Sequence, residues 1–259
     1  MAVFTFASAS GSPGVTTTVL ACGCGWPRPV VVVEADPIAG SPILAGYFQG
    51  MAEPPGGMVD LMVAHRQDQL AQRLASVLMP IPDTAVKVLT GVQTRAQAVG
   101  LPGIAGSLLH ALRELDDTGT DVVVDAGRLP ATGSFSPLVL GSDVLLLVVA
   151  SNVPGTATAR ALVTDLVEQR ATGVGLVVVG PDRPYRAKEV ASVLGLPLLG
   201  QVEWDPRAAA VWSQGEQPTR QTQRSAFQRS LRATGEAIRD FAGAATRPAP
   251  QAMRIGGVS

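Results

Sequence analysis

Six short segments of the sequence are apolar at almost every position instead of every second one: Ala2–Ala7, Val30–Val33, Val86–Leu89, Val122–Val124, Val144–Ala150 and Val174–Val179. A strand with one wet face alternates. Strands that read like these are covered on both faces, the condition of a parallel sheet held between two helical layers. The intervening segments are long enough for crossover helices. Ile104–Leu115 carries apolar residues at helical spacing, Thr156–Val167 follows a Pro154–Gly155 turn, and Arg186–Leu194 stops at Gly195, a C-cap. Asp205 is an N-cap with Pro206 at the first helical position, opening a helix Arg207–Gln214 that Gly215 ends. Strand and helix in alternation predict an α/β fold, a doubly wound and mostly parallel sheet with helices on both faces, in a single domain over residues 1–243. The last helix, about Ser225–Phe241, places Phe227, Leu231, Ile238 and Phe241 on one stripe. That stripe is expected to pack on the sheet; its other reading is an amphipathic helix at a membrane surface. Residues 244–259 have the Pro/Gly composition of a disordered tail.

Charge and hydropathy exclude several classes. Charged residues make up 16 % and hydrophobic ones 46 % of 259, so a wholly disordered chain is excluded. The apolar runs fall short of the roughly 18 residues that span a bilayer. The first residues lack a positive n-region, which predicts a cytoplasmic protein. A net charge of −1 gives no general pull toward nucleic acid. Between Arg207 and Ser259, however, eight arginines face only Glu216, Glu236 and Asp240, a surplus that could serve DNA or an anionic membrane if it is not simply the solvated side of terminal helices. Cys22 and Cys24 read as free thiols, and His65 and His110 as structural residues without a second ligand at metal spacing.

The chemistry concentrates after the first strand. An apolar run there enters a glycine-containing loop and then a threonine-rich helix start, FTFASASGSPGVTTTVLACG. The unpaired N–H groups of a first helical turn, together with the helix dipole, favour an anion, and glycines let the loop wrap close to it. Gly11, Gly14, Thr16, Thr17 and Thr18 meet that demand for a phosphate; the alternative is an ordinary strand-to-helix turn. The second strand ends in Glu34, Ala35, Asp36 and Pro37, and a later one in Asp125, which could hold magnesium directly or through water. A loop and two carboxylates so placed are the parts of a nucleotide hydrolase.

In order and spacing these segments resemble the ParA/MinD group of deviant P-loop ATPases. Gly11, Ser12, Pro13, Gly14, Val15, Thr16, Thr17 and Thr18 align without a gap with the family's GKGGVGKT, the Glu34–Pro37 segment with its D-x-D-P motif, and Asp125 with its Walker B aspartate. GGMVDLMVAH, VKVLTGV, GSDVLLLVVASNVPGTATA and LGLPLLGQVEWDPRAAAVWSQGEQP look like further family segments, so the resemblance covers roughly residues 2–242. It implies ATP held by residues 11–18, Mg2+ on Thr18, Asp36 and Asp125, a water-positioning role for Asp36, and a homodimer. The departures matter as much. Ser12 stands at the family's signature lysine, Thr17 at the P-loop lysine and Thr16 at the glycine before it; the chain's two lysines, Lys87 and Lys188, lie far away in sequence. Losing such a charged contact to a buried phosphate costs about 2–4 kcal/mol. Arg128 is the candidate replacement, with Arg160 second, because arginine clamps phosphate bidentately. Gly180 stands where the family reads adenine with an asparagine, leaving Asp182 and the backbone from Gln201 to Asp205 as contacts for a base.

These features imply a ParA/MinD-like positioning protein with weak or absent ATPase activity, serving chromosome or plasmid partition or, as in the TadZ/CpaE type, localisation of a pilus or secretion complex. Two rivals remain: a dimeric pseudo-ATPase scaffold that needs no nucleotide, and an NAD-dependent oxidoreductase with Glu34 as its ribose-binding acid, twenty positions after Gly14. A plain DNA-binding module has only the arginine surplus in its favour.

Overall fold

The computed structural model describes residues 1–11, 13–38, 40–115, 119–130, 136–170 and 173–245. In chain order the elements are β1 (Val3–Ser8), α1 (Val15–Cys24), β2 (Val30–Glu34), a π-helical turn (Ile43–Tyr47), α2 (Met58–His65), α3 (Leu70–Val77), β3 (Met79–Pro80), β4 (Val86–Leu89), α4 (Arg95–Ala98) and α5 (Leu101–Arg113). There follow β5 (Asp121–Arg128), α6 (Pro137–Leu140), β6 (Val144–Ala150), α7 (Val153–Gln169), β7 (Val174–Val179), α8 (Ala187–Leu194), β8 (Leu198–Val202), α9 (Pro206–Ser213), α10 (Arg220–Gln223) and α11 (Ala226–Ala245).

The strands form an eight-stranded sheet in the order β3-β4-β2-β5-β1-β6-β7-β8. Only the β3–β4 pair is antiparallel. The continuous apolar runs are explained by two covered faces. On one, Phe4, Phe6, Val30 and Val32 pack with Leu20 of α1 and with Phe227, Leu231 and Ile238 of α11. On the other, Val31, Val33, Val122 and Val124 meet α2, α3 and α5, while Leu145, Leu147 and Leu176 meet α7 and α8. Burial of Phe227, Leu231 and Ile238 to 4 % exposure or less takes the α11 stripe out of reach of a membrane. This helix runs to Ala245, two residues past the expected end of the domain; residues 246–259, including Arg247, Arg254 and most of the expected tail, lie outside the described residues.

At the end of the sheet where β1 starts, the buried carboxylate of Asp121 gathers three donors: Ala2 N at 3.1 Å, Trp26 Nε1 at 3.0 Å and Arg239 Nε at 3.0 Å. One arginine of the C-terminal surplus therefore serves the fold. The opposite end carries the chemistry. The chain leaves β1 in the middle of the sheet for β2 on one side and later returns for β6 on the other, so the loop after β1 opens at a topological switch point, where doubly wound sheets bind ligands.

Candidate functional site

The loop after β1 reaches α1 through Gly14, which has φ 82° and ψ 37°, a left-handed conformation that glycine adopts without steric cost. No side chain caps the helix start. Thr18 N donates to Gly14 O at 2.9 Å, the first bond of the helix, so the helix itself supplies no acceptor for the amides of Val15, Thr16 and Thr17. Pro13 and Val15 are buried, Gly11 is exposed, and Ser12 lies outside the described residues. Pro13, Gly14, Thr17 and Thr18 form one end of an open cleft of about 240 Å3, whose far end is built from Trp204, Asp205 and the α9 helix. Neither lysine nor arginine is among the described residues lining it.

On the other side of the loop lie the carboxylates. Asp125 is fully buried; its carboxylate accepts from the Thr16 hydroxyl and from Gly127 N at 2.9 Å. Burial still pushes its pKa up to about 7, with the nearby Asp36 and Glu34 acting in the same direction. Gly127, at φ 61°, presses its bare Cα against the Asp36 carboxylate, and any side chain there would collide with it. Asp36 accepts from Ile38 N at 2.8 Å and is raised above its ordinary range, chiefly by burial.

Glu34 is engaged within the protein. Its buried carboxylate accepts from Ser41 Oγ at 2.6 Å, Ile43 N at 2.9 Å and Gly91 N at 3.0 Å. It pins the segment after β2, and these three donors compete with any ribose hydroxyl for its oxygens, which counts against the dinucleotide reading. The pinned segment also reaches the cleft wall. Tyr47 stacks on Trp212 of α9, with ring centroids 5.9 Å apart and planes 9° from parallel, and Gln49 Nε2 donates to Gln214 O at 2.9 Å.

The remaining expected contacts are dispersed. Arg128 is exposed at the end of β5, in register with Ser8 at the root of the loop. Arg160 instead lines a groove between α7 and α8 with Val153 and Val190. Asp182 turns toward Arg186, 4.0 Å away, and does not line the cleft. The Asp205 carboxylate caps α9, accepting from Ala208 N at 3.1 Å, so only its backbone is free for a ligand. His110 is an exposed surface residue 3.3 Å from Glu114, not a packed structural one. Burial raises both Cys22 and Cys24 thiols to about 12, consistent with inert free thiols.

The sequence reading did not find the Thr16–Asp125 bond or the exposed Trp204 on the cleft wall. The second had a signal: a tryptophan directly before an Asp-Pro helix cap, in a segment expected to close over a base. Among the described residues no cluster of three or more His, Cys, Asp or Glu side chains could hold a metal ion. The donors fit Mg2+ with a phosphate in part: Thr18 borders the cleft beside the uncapped helix start, whereas Asp125 is engaged by Thr16.

No family model and no curated protein matches the sequence. Solved structures do match in fold. A ParA family ATPase from Chlorobium tepidum superposes with a TM-score of 0.69 at 18 % identity, over 93 % of this chain and 98 % of that one. The MinD cell division protein of Aquifex aeolicus gives 0.73 at 14 %, over 93 % and 98 %. The septum site-determining protein MinD of Pyrococcus horikoshii, solved with Mg-ADP, gives 0.70 at 16 %, over 95 % and 99 %. The fold of this chain is therefore the one shared by the ParA and MinD ATPases.

Proposed function

We propose that residues 1–243 form a ParA/MinD-type nucleotide-binding domain that works as a homodimer in intracellular positioning, with ATP hydrolysis weak or absent. Partition of DNA and localisation of a pilus or secretion complex of the TadZ/CpaE type are the two roles compatible with this reading. The observation that carries it is the uncapped start of α1 opening into a cleft with no lysine or arginine among the described residues lining it. Backbone amides and a helix dipole can hold a phosphate without side-chain charge. Thr18 would reach Mg2+, Asp36 would position water, and Arg128 would approach the phosphates from the loop's root. Hydrolysis needs more, because charge building on the transferred phosphoryl group is normally met by the missing lysines. The fold neighbour with Mg-ADP makes ATP and Mg2+ the first ligands to try.

A second reading, a scaffold that dimerises without nucleotide, is favoured by the Thr16 hydroxyl on Asp125, which satisfies within the protein a group otherwise available to a metal. Calorimetry of the full chain with Mg-ATP separates the two. Binding at micromolar to millimolar concentration, with turnover at least a hundredfold below an ATPase that keeps its lysines, is expected. Absence of heat at millimolar Mg-ATP, in a protein already dimeric, would establish the scaffold instead.

A further inference from the structure

We propose that Thr16 is a latch on Asp125: its hydroxyl takes the carboxylate that a divalent cation would use, so that phosphate binding at the start of α1 does not depend on Mg2+. The phosphate half of this rests on the nucleotide reading above; the cation half does not. Three threonines open α1, and they are not equivalent. Thr17 and Thr18 line the cleft, whereas the half-buried Thr16 donates its hydroxyl to Asp125. That hydroxyl is not spent on the helix end, because no side chain caps α1. Asp125 is 1 % exposed, and its Oδ1 also accepts from Gly127 N at 2.9 Å. Thr16 and Gly127 are thus the donors that compensate a carboxylate shut off from water, and removing either leaves a buried acceptor short of a partner.

A cation approaching Asp125 meets a proton. A hydroxyl that donates to a carboxylate turns its hydrogen, not its lone pairs, toward the oxygens, while Mg2+ demands lone pairs in a near-octahedral array and sheds its own water reluctantly. Admitting the ion means turning Thr16 away, and a threonine in a helix keeps to two χ1 wells. Asp36 offers no easier route, since the bare Cα of Gly127 already lies against its carboxylate. Phosphate meets no such obstacle. Backbone amides and a helix dipole attract an anion without a metal.

The test uses the full chain and two probes. Mn2+, which shares the oxygen-ligand preference of Mg2+, is titrated alone and followed by electron paramagnetic resonance; inorganic tripolyphosphate is titrated by calorimetry, once with Mg2+ and once with EDTA. The wild type should bind tripolyphosphate within about threefold in the two buffers and take up Mn2+ about tenfold or more weakly than Thr16→Ala. Thr16→Ser keeps the hydroxyl and should reproduce the wild type, and Asp125→Asn added to Thr16→Ala should abolish the gain. If Thr16→Ala takes up Mn2+ no better than the wild type, or Thr16→Ser gains as much as Thr16→Ala, the latch is overturned whatever phosphate does. A wild type that binds tripolyphosphate about tenfold tighter with Mg2+ than with EDTA overturns it as well, and this arm decides even if Thr16→Ala does not fold. If Thr16→Ala gains Mn2+ while neither protein takes up tripolyphosphate, the latch holds on the cation and the nucleotide reading falls alone.

Discussion

Asp125 sits beside a helix start with its carboxyl pushed up to about 7 by burial, against an ordinary 3.8. The unfolded chain releases that proton near pH 4, so between about 4 and 7 the native state holds the extra proton. The stability it contributes is full below this window and is lost as pH rises through 7. Without ligand, chemical denaturation should therefore show a fall in stability from pH 5 to pH 8, of which Asp125→Asn removes a share on the order of 2 kcal/mol. An unchanged slope in the variant would place the titration elsewhere. A cation between Asp36 and Asp125 would reverse the effect, stabilising the ionised forms. The sequence made the position of Asp125 legible, because a carboxylate at the end of a buried strand has few other uses. It did not make its state legible. That depends on the Thr16 hydroxyl, and spacing along a chain does not say which side chain fills a gap between two elements. The same holds for Glu34 and Asp36, two carboxylates one residue apart. A strand continued that far would send both to one face, but β2 ends at Glu34, and only the fold reveals that Ser41, Ile43 and Gly91 converge on the first.

Among the elements, strands covered on both sides were the most readable. Val144–Ala150 and Val174–Val179 match their apolar runs residue for residue, as does Val86–Leu89 despite its exposed Lys87, because short β-branched runs between turn signals fit strands covered on both faces. The edge strand β8 was missed. Pro197 precedes it and Gly200 interrupts it, the glycine being required where the strand meets Thr234 of α11 with no room for a Cβ. Helices α2 and α3 were also not recognised as such. For α11 the open question was which partner its stripe faces, and Asp121 helps to hold the answer in place through Arg239. Removing that arginine leaves a buried carboxylate short of one partner. Arg239→Ala should cost about 2 kcal/mol in urea unfolding, while the exposed Arg207→Ala stays within about 0.5 kcal/mol of the wild type. Equal losses would mean that the ion pair contributes nothing.

At the scale of the molecule, the loop after β1 and the carboxylates Asp36 and Asp125 lie at one end of the sheet and the Asp121 clamp at the other. A second copy that shares a nucleotide must dock against the ligand-bearing end. Light scattering should show a doubling of mass on adding Mg-ATP, and Arg239→Ala, remote from that end, should leave the doubling intact at temperatures where it remains folded. Constant mass with bound nucleotide would rule out a ligand-driven dimer. A last consequence follows from the Tyr47–Trp212 stack. Because Glu34 ties the π-helical turn to β2 and the paired rings tie it to α9, an inward swing of the cleft wall would either break the ring stack or take the turn with it. Tightening around a cargo would pull the stretch between β2 and α2 with it, like a lever on a hinge, and carry news of occupancy to a surface that the occupant never touches.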